Sequence, residues 1–384
     1  MPSRVLACGR AACAWAVLVA ALAGCTSGGA GTSAVTASGK TLRIYLSGAP
    51  TSQPRVAADV LDAEQLAFID SPESPGGFRL QLVTKHEKIS DQARIAIQDS
   101  SAIAYLGEVV PHTSYASFGI TNALDLLQVS ATDTALELTQ STPAVPGAPD
   151  SYYQSRSTYG QTFARVVPTS GREAQAQVQE MQALGVHKLY VADDGGPYGA
   201  AIANALKSDA AGKLTVVGSQ AEADGVFFGT NSVVAARGFF DRAATANPAV
   251  KLFGPSALYD PTFAGGLSPA VRNLVISTPG FRVADLPPAG AKFSSEFNSR
   301  YHRAPVPQAI FGYEAMSALL AVLREAGAQA NNRSTVVHEF LSLKNRQSVL
   351  GTYSMNTTGD TSIAPFLFGR LERGALVPFA QVQG

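Results

Sequence analysis

The sequence contains few cysteines, and none of them lies in the part of the chain that is expected to fold. The three cysteines are Cys8, Cys13 and Cys25 in a chain of 384 residues. A body that begins after residue 25 therefore has no thiol for a disulfide or for a cysteine-based metal site. Its stability must come from a large apolar core, which about 345 residues can supply.

The chain also lacks an excess of charge of either sign. It has 29 basic and 29 acidic residues, and loss of Arg4 and Arg10 with a leader would leave 27 against 29, a net charge of −2. A nearly neutral surface does not attract nucleic acid or an anionic membrane. We therefore expect no nucleic-acid partner.

A long apolar run is present only near the start of the chain. Two arginines precede the apolar segment 11–23, whose length of about a dozen residues is short of the ~20 that span a bilayer but typical of a secretory signal. The segment ends in LAGC at 22–25, which resembles the lipobox of bacterial lipoproteins. That resemblance implies a signal peptide over 1–24, acylation of Cys25 and a membrane anchor on the extracytoplasmic (periplasmic) face; a plain signal peptide with a chance cysteine is the alternative.

Residues 25–40 form a Gly/Ser/Thr/Ala tract without periodicity. Such composition predicts a flexible tether with a span of roughly 20 Å. A tether of this length would hold a folded body close to a membrane partner.

Motifs of known catalytic mechanisms are absent from the sequence. There is no Gly-x-Ser-x-Gly elbow, no phosphate-binding Gly-rich loop ending in Lys-Ser/Thr, and no His-Glu-x-x-His. The five histidines are scattered without metal-ligand spacing. We therefore expect no enzyme activity, no metal site and no cofactor.

From residue 41 onwards, short β-rich runs alternate with helical stretches, and the pattern restarts near residue 172. Strands are predicted at 41–46, 78–83, 103–106, 126–129, 188–192, 214–218, 226–228, 251–253, 273–277, 364–370 and 376–381, and helices at 55–70, 90–99, 114–124, 172–184, 198–211, 232–246, 290–301, 308–326 and 334–343. Strands separated by helices of 10–15 residues are typical of parallel sheets. The predicted fold is α/β, with two doubly wound parallel-sheet lobes joined by a multi-strand hinge.

The C-terminal elements are too few for a third domain, so we expect them to complete the two lobes. The predicted division is 41–166 plus 281–346 for lobe 1, and 167–280 plus 347–384 for lobe 2. Open α/β sheets bind ligands outside the carboxyl ends of their strands, so a cleft between the lobes is the expected site. The Pro-rich stretch 142–157 has no predicted role.

Four segments resemble a known family. They are 103–107 (IAYLG) with 111–117, 128–139 (QVSATDTALELT), 194–199 (DGGPYG) and 308–327, and they are similar to the type I periplasmic-binding-fold proteins of the leucine/isoleucine/valine-binding group. These are the solute-binding lipoproteins of branched-chain amino acid ABC transporters. The resemblance covers nearly all of 41–384. It implies a protein that closes on a small polar ligand, such as an amino acid or amide, and docks on an ABC permease.

Nine residues form the predicted ligand-binding set: Glu108, His112, Thr113, Ser114, Asp133, Thr134, Tyr198, Asn231 and Ser256. A helix that begins near Thr113 and Ser114 offers free N–H groups to a carboxylate. The Thr134 hydroxyl can donate or accept, and the Tyr198 ring can close over a ligand. The alternatives are that Thr113 only caps its helix and that Tyr198 only packs.

Several positions depart from the group's pattern. Pro111 lacks an amide proton, Ser256 stands where a glutamate typically meets the ligand ammonium, and Asn231-Ser232 replaces an aromatic residue. One hypothesis is that Glu108 or Asp133 takes over ammonium recognition; the alternative is that both carboxylates face solvent or cap loops. These departures leave two other functions open, a ligand-sensing receptor and a lipoprotein that has lost its ligand and acts as an interaction module.

Overall fold

The computed structural model describes residues 35–71, 74–153 and 160–384. The predicted signal peptide, Cys25 and most of the predicted tether lie outside these residues, as does part of the Pro-rich stretch. None of the helices in the described ranges is long and apolar enough to cross a membrane.

The last residues of the predicted tether pack on the body and do not form a free linker. The amide of Ala37 donates to the carbonyl oxygen of Asn331 at 2.7 Å, and the amide of Ser38 donates to that of Ser100 at 2.8 Å. Ala37 is buried in the core. The folded body therefore begins a few residues before the first predicted strand.

The first half of the chain builds a parallel sheet. Its elements are β1 (Thr41–Ser47), α1 (Pro54–Asp70), β2 (Arg79–Lys85), α2 (Ile89–Gln98), β3 (Ala102–Leu106), α3 (Tyr115–Asn122), β4 (Leu127–Ser130) and β5 (Phe163–Arg165). The strand order is β2-β1-β3-β4-β5, and every neighbouring pair is parallel. All five carboxyl ends therefore lie at one edge of the sheet.

A second sheet follows. Its elements are α4 (Ser170–Ala183), β6 (Lys188–Asp193), α5 (Pro197–Ala210), β7 (Thr215–Val216), β8 (Gly225–Gly229), α6 (Val233–Ala246), β9 (Lys251–Gly254), α7 (Pro261–Gly265) and β10 (Leu274–Pro279). After these come α8 (Pro288–Tyr301), α9 (Ala309–Ala326), α10 (Arg333–Leu341), β11 (Arg346–Ser348), β12 (Gly351–Tyr353), β13 (Pro365–Glu372) and β14 (Ala375–Gln383). The sheet order is β14-β13-β10-β9-β8-β6-β7, and β11 pairs only with β12.

Side chains from the two faces of the first sheet pack in two different cores. Leu42, Ile44 and Leu46 of β1 pack in a large core with α1, α8, α9 and α10, whereas Tyr45 packs on the opposite face with Ala96 of α2. Successive side chains of a strand point to opposite faces, so helices cover both sides of the sheet. This is the doubly wound arrangement that the sequence predicts.

Helices α1 and α9 approach each other closely at Gly312. A β-carbon at this position would lie 2.6 Å from the carbonyl oxygen of Val60. A side chain there would push the two helices apart, because packed interiors have little spare volume. The glycine therefore sets the depth at which α9 packs beside the cleft-facing helix α1.

The chain passes between the two sheets three times, after β5, after β10 and before β13. The third passage lies later than the predicted boundary of 346/347. Tyr353, Met355 and Ile363 still pack in the core of the first sheet, and the chain joins the second sheet only with β13 at Pro365. Three adjacent crossings form a hinge of the kind used in lobe closure.

The two-lobed α/β fold is confirmed, and the predicted elements shift by a few residues at their ends. Helix α2, predicted over 90–99, begins at Ile89, so Ser90 lies inside the helix and does not cap it, and no side chain caps its start. Strand β5 and the β11–β12 pair were not predicted. Runs of three residues are too short to show an apolar period.

Candidate ligand cleft

Loops at the carboxyl ends of the two sheets contact each other directly. Asn231, after β8, donates from Nδ2 to the carbonyl oxygen of Pro111, after β3, at 2.9 Å. Nearby, the Thr134 and Ser256 hydroxyls lie 3.4 Å apart. The cleft edges of the two lobes are therefore within hydrogen-bonding distance of each other.

Further contacts across the cleft involve the first turn of α1. The Arg55 and Val56 amides donate to Asp260 Oδ2 at 3.0 and 3.1 Å. Gln53 Nε2 donates to the Ser256 carbonyl oxygen at 3.1 Å. A carboxylate from the second lobe thus satisfies N–H groups that a helix start leaves free.

A cavity of about 340 Å³ lies between these loops. Its lining includes Ser47, Glu108, Val109, Thr113, Asn231 and Ser232, so both lobes contribute. The volume is at the small end of the roughly 300–1,000 Å³ of small-molecule sites. Among the lining residues, Glu108 is the one with an ionisable side chain.

Glu108 is buried and held by three hydroxyl groups. Ser47 donates to Oε2 at 2.5 Å, while Tyr105 and Ser117 donate to Oε1 at 2.7 and 3.2 Å. Burial raises the pKa of Glu108 to about 7, although these hydrogen bonds act in the opposite direction. The carboxyl group therefore changes charge near neutral pH.

A second buried carboxyl group, that of Glu64 on α1, lies near Glu108. Burial, and then the charge of Glu108, raise the pKa of Glu64 well above its usual value. The charge of Asp133 acts on Glu108 in the same sense. The first-lobe side of the cavity is therefore a region of uncompensated acidic groups.

Asp133 binds the loop that precedes α3. Its Oδ1 accepts from the His112 amide at 2.6 Å and from the Ala135 amide at 3.2 Å, and its Oδ2 accepts from the Ser114 amide at 2.9 Å. Burial raises the pKa of Asp133, while these N–H groups lower it. This carboxylate caps a loop, which is one of the two roles that the sequence left open.

The His112 ring points away from the cavity, towards Glu137. Its Nδ1 lies 2.5 Å from Glu137 Oε1, and the ring stacks on Tyr115 with a centroid separation of 4.6 Å. Burial lowers the pKa of His112, but the hydrogen bond and charge of Glu137, with the charge of Asp133, raise it overall. Tyr152, from the Pro-rich stretch, also contacts this ring.

A polar cluster on the second-lobe side surrounds Glu173 of α4. Glu173 accepts from the Ser256 amide at 2.5 Å and its hydroxyl at 2.9 Å, and from the Ser277 hydroxyl at 2.5 Å. Burial raises the pKa of Glu173 to about 7. For Tyr198, which faces Thr134 and Ser256, burial followed by the charge of Glu173 raises the pKa well above its usual value.

Arg165 connects this region to the hinge. It is completely buried, and Nε donates to Asp360 Oδ1 at 2.7 Å. Its two terminal nitrogens donate to the carbonyl oxygens of Asp133 and Ala135, at 3.1 and 2.6 Å, and to Thr139 Oγ1, at 2.6 Å. One guanidinium thus links the first and third crossings to the loop that carries Asp133.

Comparison with known proteins places this geometry in a family. The family profile described as "Periplasmic binding protein" matches residues 131–375, more than half of the chain. The chain belongs to the periplasmic binding protein family. No curated protein sequence matches it.

Solved structures with the same fold include several binding proteins. The leucine binding protein LivK from Thermotoga maritima MSB8 superposes with a TM-score of 0.73 at 18% identity, covering 89% of this chain and 99% of that one. LivJ from Streptococcus pneumoniae, in complex with isoleucine, gives 0.71 at 14% identity, covering 90% and 99%. A solute binding protein from R. palustris, in complex with benzoate, gives 0.67 at 17% identity, covering 90% and 97%.

The predicted residues of this periplasmic binding protein fall into three places. Glu108, Thr113 and Asn231 line the cavity. Ser114, Asp133, Thr134 and Ser256 are buried in the loops beside it, and His112 and Tyr198 pack against neighbouring side chains. The set therefore converges on one cleft, but fewer than half of its members face the open space.

Other residues of the binding-protein cleft were not predicted. Ser47 is the last residue of β1, so the strand-end argument applied to β1 would have found it. Glu64 and Glu173 lie within helices, and nothing in their spacing distinguishes them from solvent-facing acids. In the described part of the chain, no three His, Cys, Asp or Glu side chains converge on a metal position.

Proposed function

We propose that this chain is a lipid-anchored, extracytoplasmic solute-binding protein that closes two lobes around a small polar ligand and delivers it to an ABC importer. The observation that carries the proposal is the cavity between the facing carboxyl edges of the two sheets, lined by loops from both. The proposal contains no catalytic step.

Closure follows from the way the lobes are joined. Three crossings form the hinge, and the direct bonds across the cleft, such as Asn231 to Pro111, form only where the lobes meet. A ligand that contacts both lobes favours the closed state by its difference in affinity for the two states. An importer can then distinguish loaded from empty protein by shape alone.

The structural relatives support the same class of ligand and of partner. LivJ is described with isoleucine, and the R. palustris protein is a solute binding protein of an ABC transporter, described with benzoate. Both ligands are small molecules that fit a cavity of a few hundred Å³. The ligands of these relatives are similar in size but differ in their functional groups. The ligand of this chain must therefore be inferred from the residues that line its own cavity.

Ligand binding is expected to raise the melting temperature by about 5 °C. A ligand at a hundredfold excess over Kd stabilises the native state by about 2.7 kcal/mol, and each kcal/mol is worth roughly 2 °C in a chain of this size. A thermal-shift screen with leucine, benzoate, amines and amides measures this, and small-angle scattering reports closure. If no compound shifts the melting temperature or the scattering curve, an interaction module is the better function.

Lipidation is expected at Cys25 alone. Cells fed an azide-bearing palmitate analogue should label the wild-type protein, and Cys25→Ser should abolish the label and release the protein from the membrane fraction. Cys13→Ser is the matched control, because that residue lies within the predicted signal peptide. Full labelling of Cys25→Ser would contradict the anchor.

A further inference from the structure

The N–H groups before α3 are already occupied by the protein's own carboxylate. Asp133 accepts from the amides of His112 and Ser114 at 2.6 and 2.9 Å, and its side chain is completely buried. A ligand carboxylate has no access to these donors. The negative charge of Asp133 would also repel a ligand carboxylate.

Glu108, Thr113 and Asn231 each leave an oxygen in the cavity that can accept a hydrogen bond. Thr113 Oγ1 donates to the Val110 carbonyl oxygen at 2.6 Å, and Asn231 donates from Nδ2 to Pro111, so each has an oxygen remaining. Glu108 Oε2 accepts one hydrogen bond, from Ser47, and a carboxylate oxygen can accept two. These three oxygens can accept from an ammonium, which has three donors and no acceptor.

The charges around Glu108 favour the same ligand. The titratable groups that face it are Tyr105 of β3, Glu64 of α1 and Asp133 after β4, and all of them are neutral or acidic. Two basic side chains beside the Asp133 loop are paired elsewhere, His112 with Glu137 and Arg165 with Asp360. Buried carboxylates without a cation are costly, so a bound cation would compensate them.

We propose that the cavity takes a small protonated amine that lacks an α-carboxylate, with Glu108 as the ammonium acceptor and Asp133 in place of the ligand carboxylate. The proposal rests on the solute-binding function proposed above. It assigns the two acidic residues different roles: Glu108 contacts the ligand, whereas Asp133 excludes carboxylates.

Three compounds of matched shape test the proposal by calorimetry on the full lipidated chain in detergent micelles. They are 3-methylbutylamine, leucine and 4-methylpentanoate, which present the same branched chain with an ammonium, with both groups, and with a carboxylate. We expect the amine to bind at least tenfold more tightly than leucine, and the carboxylate not to bind.

The outcomes separate the two proposals. Leucine or 4-methylpentanoate binding as tightly as the amine would overturn the amine assignment and leave the solute-binding function standing. No binding by these three, by 1,4-diaminobutane or by benzoate would overturn both.

Variants at the two acidic positions give opposite results. Glu108→Gln keeps the side-chain volume and should weaken amine binding at least tenfold. The control is Glu87→Gln, which makes the same charge change at an exposed position before α2 and should leave amine binding unaltered.

Asp133→Ser frees the amides of the loop and should raise the affinity for leucine at least tenfold. Far-ultraviolet circular dichroism checks that each variant is folded, and unchanged amine binding by folded Glu108→Gln would refute the role of Glu108.

The amine affinity should also depend on pH. Because burial places the pKa of Glu108 near 7, about a tenth of it is ionised at pH 6, and the affinity should fall about tenfold between pH 8 and pH 6. Glu108→Gln should show no such fall. An equal fall in wild type and variant would assign the pH dependence to another group and contradict the proposal.

Discussion

Replacing Arg165 with methionine is expected to lower the free energy of unfolding by about 3–5 kcal/mol, the usual cost of removing one partner of a buried ion pair. Arg165 is completely buried and pairs with Asp360 at 2.7 Å. Without the guanidinium, the Asp360 carboxylate remains in the hinge with hydrogen bonds only from neutral groups, such as the Thr139 hydroxyl at 3.0 Å. Two backbone carbonyl oxygens, of Asp133 and Ala135, lose a donor as well.

Urea unfolding measures this loss, and Arg94→Met is the matched control. Arg94 pairs with Asp91 on the surface, where both side chains are more than half exposed, and an exposed pair contributes about 0–1 kcal/mol. The double variant Arg165→Met/Asp360→Leu removes both charges and should recover part of the loss. If Arg165→Met unfolds at the same urea concentration as Arg94→Met, the hinge does not depend on this ion pair.

The stability of the wild-type protein is expected to fall as the pH rises from about 5 to 8, and Glu173→Gln should remove a large part of that fall. Burial raises the pKa of both Glu173 and Glu108 to about 7, compared with about 4.3 in an unfolded chain. Between these values the native state holds more protons than the unfolded state. Unfolding free energy decreases with pH wherever this is so.

The size of the effect follows from the shift. A raised acid pKa gives stability that is fully present below about pH 4.3 and is lost as the pH rises through 7, and one pKa unit corresponds to 1.36 kcal/mol. Each of the two glutamates therefore contributes about 3 kcal/mol to the fall. Glutamine at 173 cannot ionise, yet it keeps the size of the side chain and an oxygen for the Ser256 amide.

Urea unfolding at a series of pH values between 5 and 8 tests this prediction. Glu222→Gln is the control, because Glu222 is exposed and the substitution makes the same charge change. We expect the control to follow the wild-type curve and Glu173→Gln to follow a shallower one. A Glu173→Gln curve as steep as that of the control would show that Glu173 is not the group responsible.

The order of the elements could be predicted from the sequence because it depends on local pattern. Strands such as β3 are short apolar runs buried between helices, and the two predicted terminal strands are found as the antiparallel pair β13 and β14. The strand-end argument placed the cleft at the carboxyl ends of the strands, and Glu108 and Thr113 lie in the loop after β3. Predictions of this kind depend only on residues that are close together in the sequence.

The remaining polar groups depend on partners far away along the chain. Glu173 meets Ser256, 83 positions later, and Arg165 meets Asp360, 195 positions later. Each appears in the sequence as an ordinary charged residue of a helix or a short strand. Their burial follows from three-dimensional packing that no local period encodes.

The sequence by itself determined the alternation of strands and helices, the neutral charge of the body and the lack of a disulfide framework, because each depends on residue type or on local spacing. It also placed two carboxylates, Glu108 and Asp133, at strand ends on the same edge of a sheet. Only the tertiary structure decided between them: the loop before α3 turns its amides towards Asp133, while β1 and β3 hold Glu108 at the cavity. The direction in which a side chain points from a loop depends on the chain packed around it, and that chain comes from distant parts of the sequence.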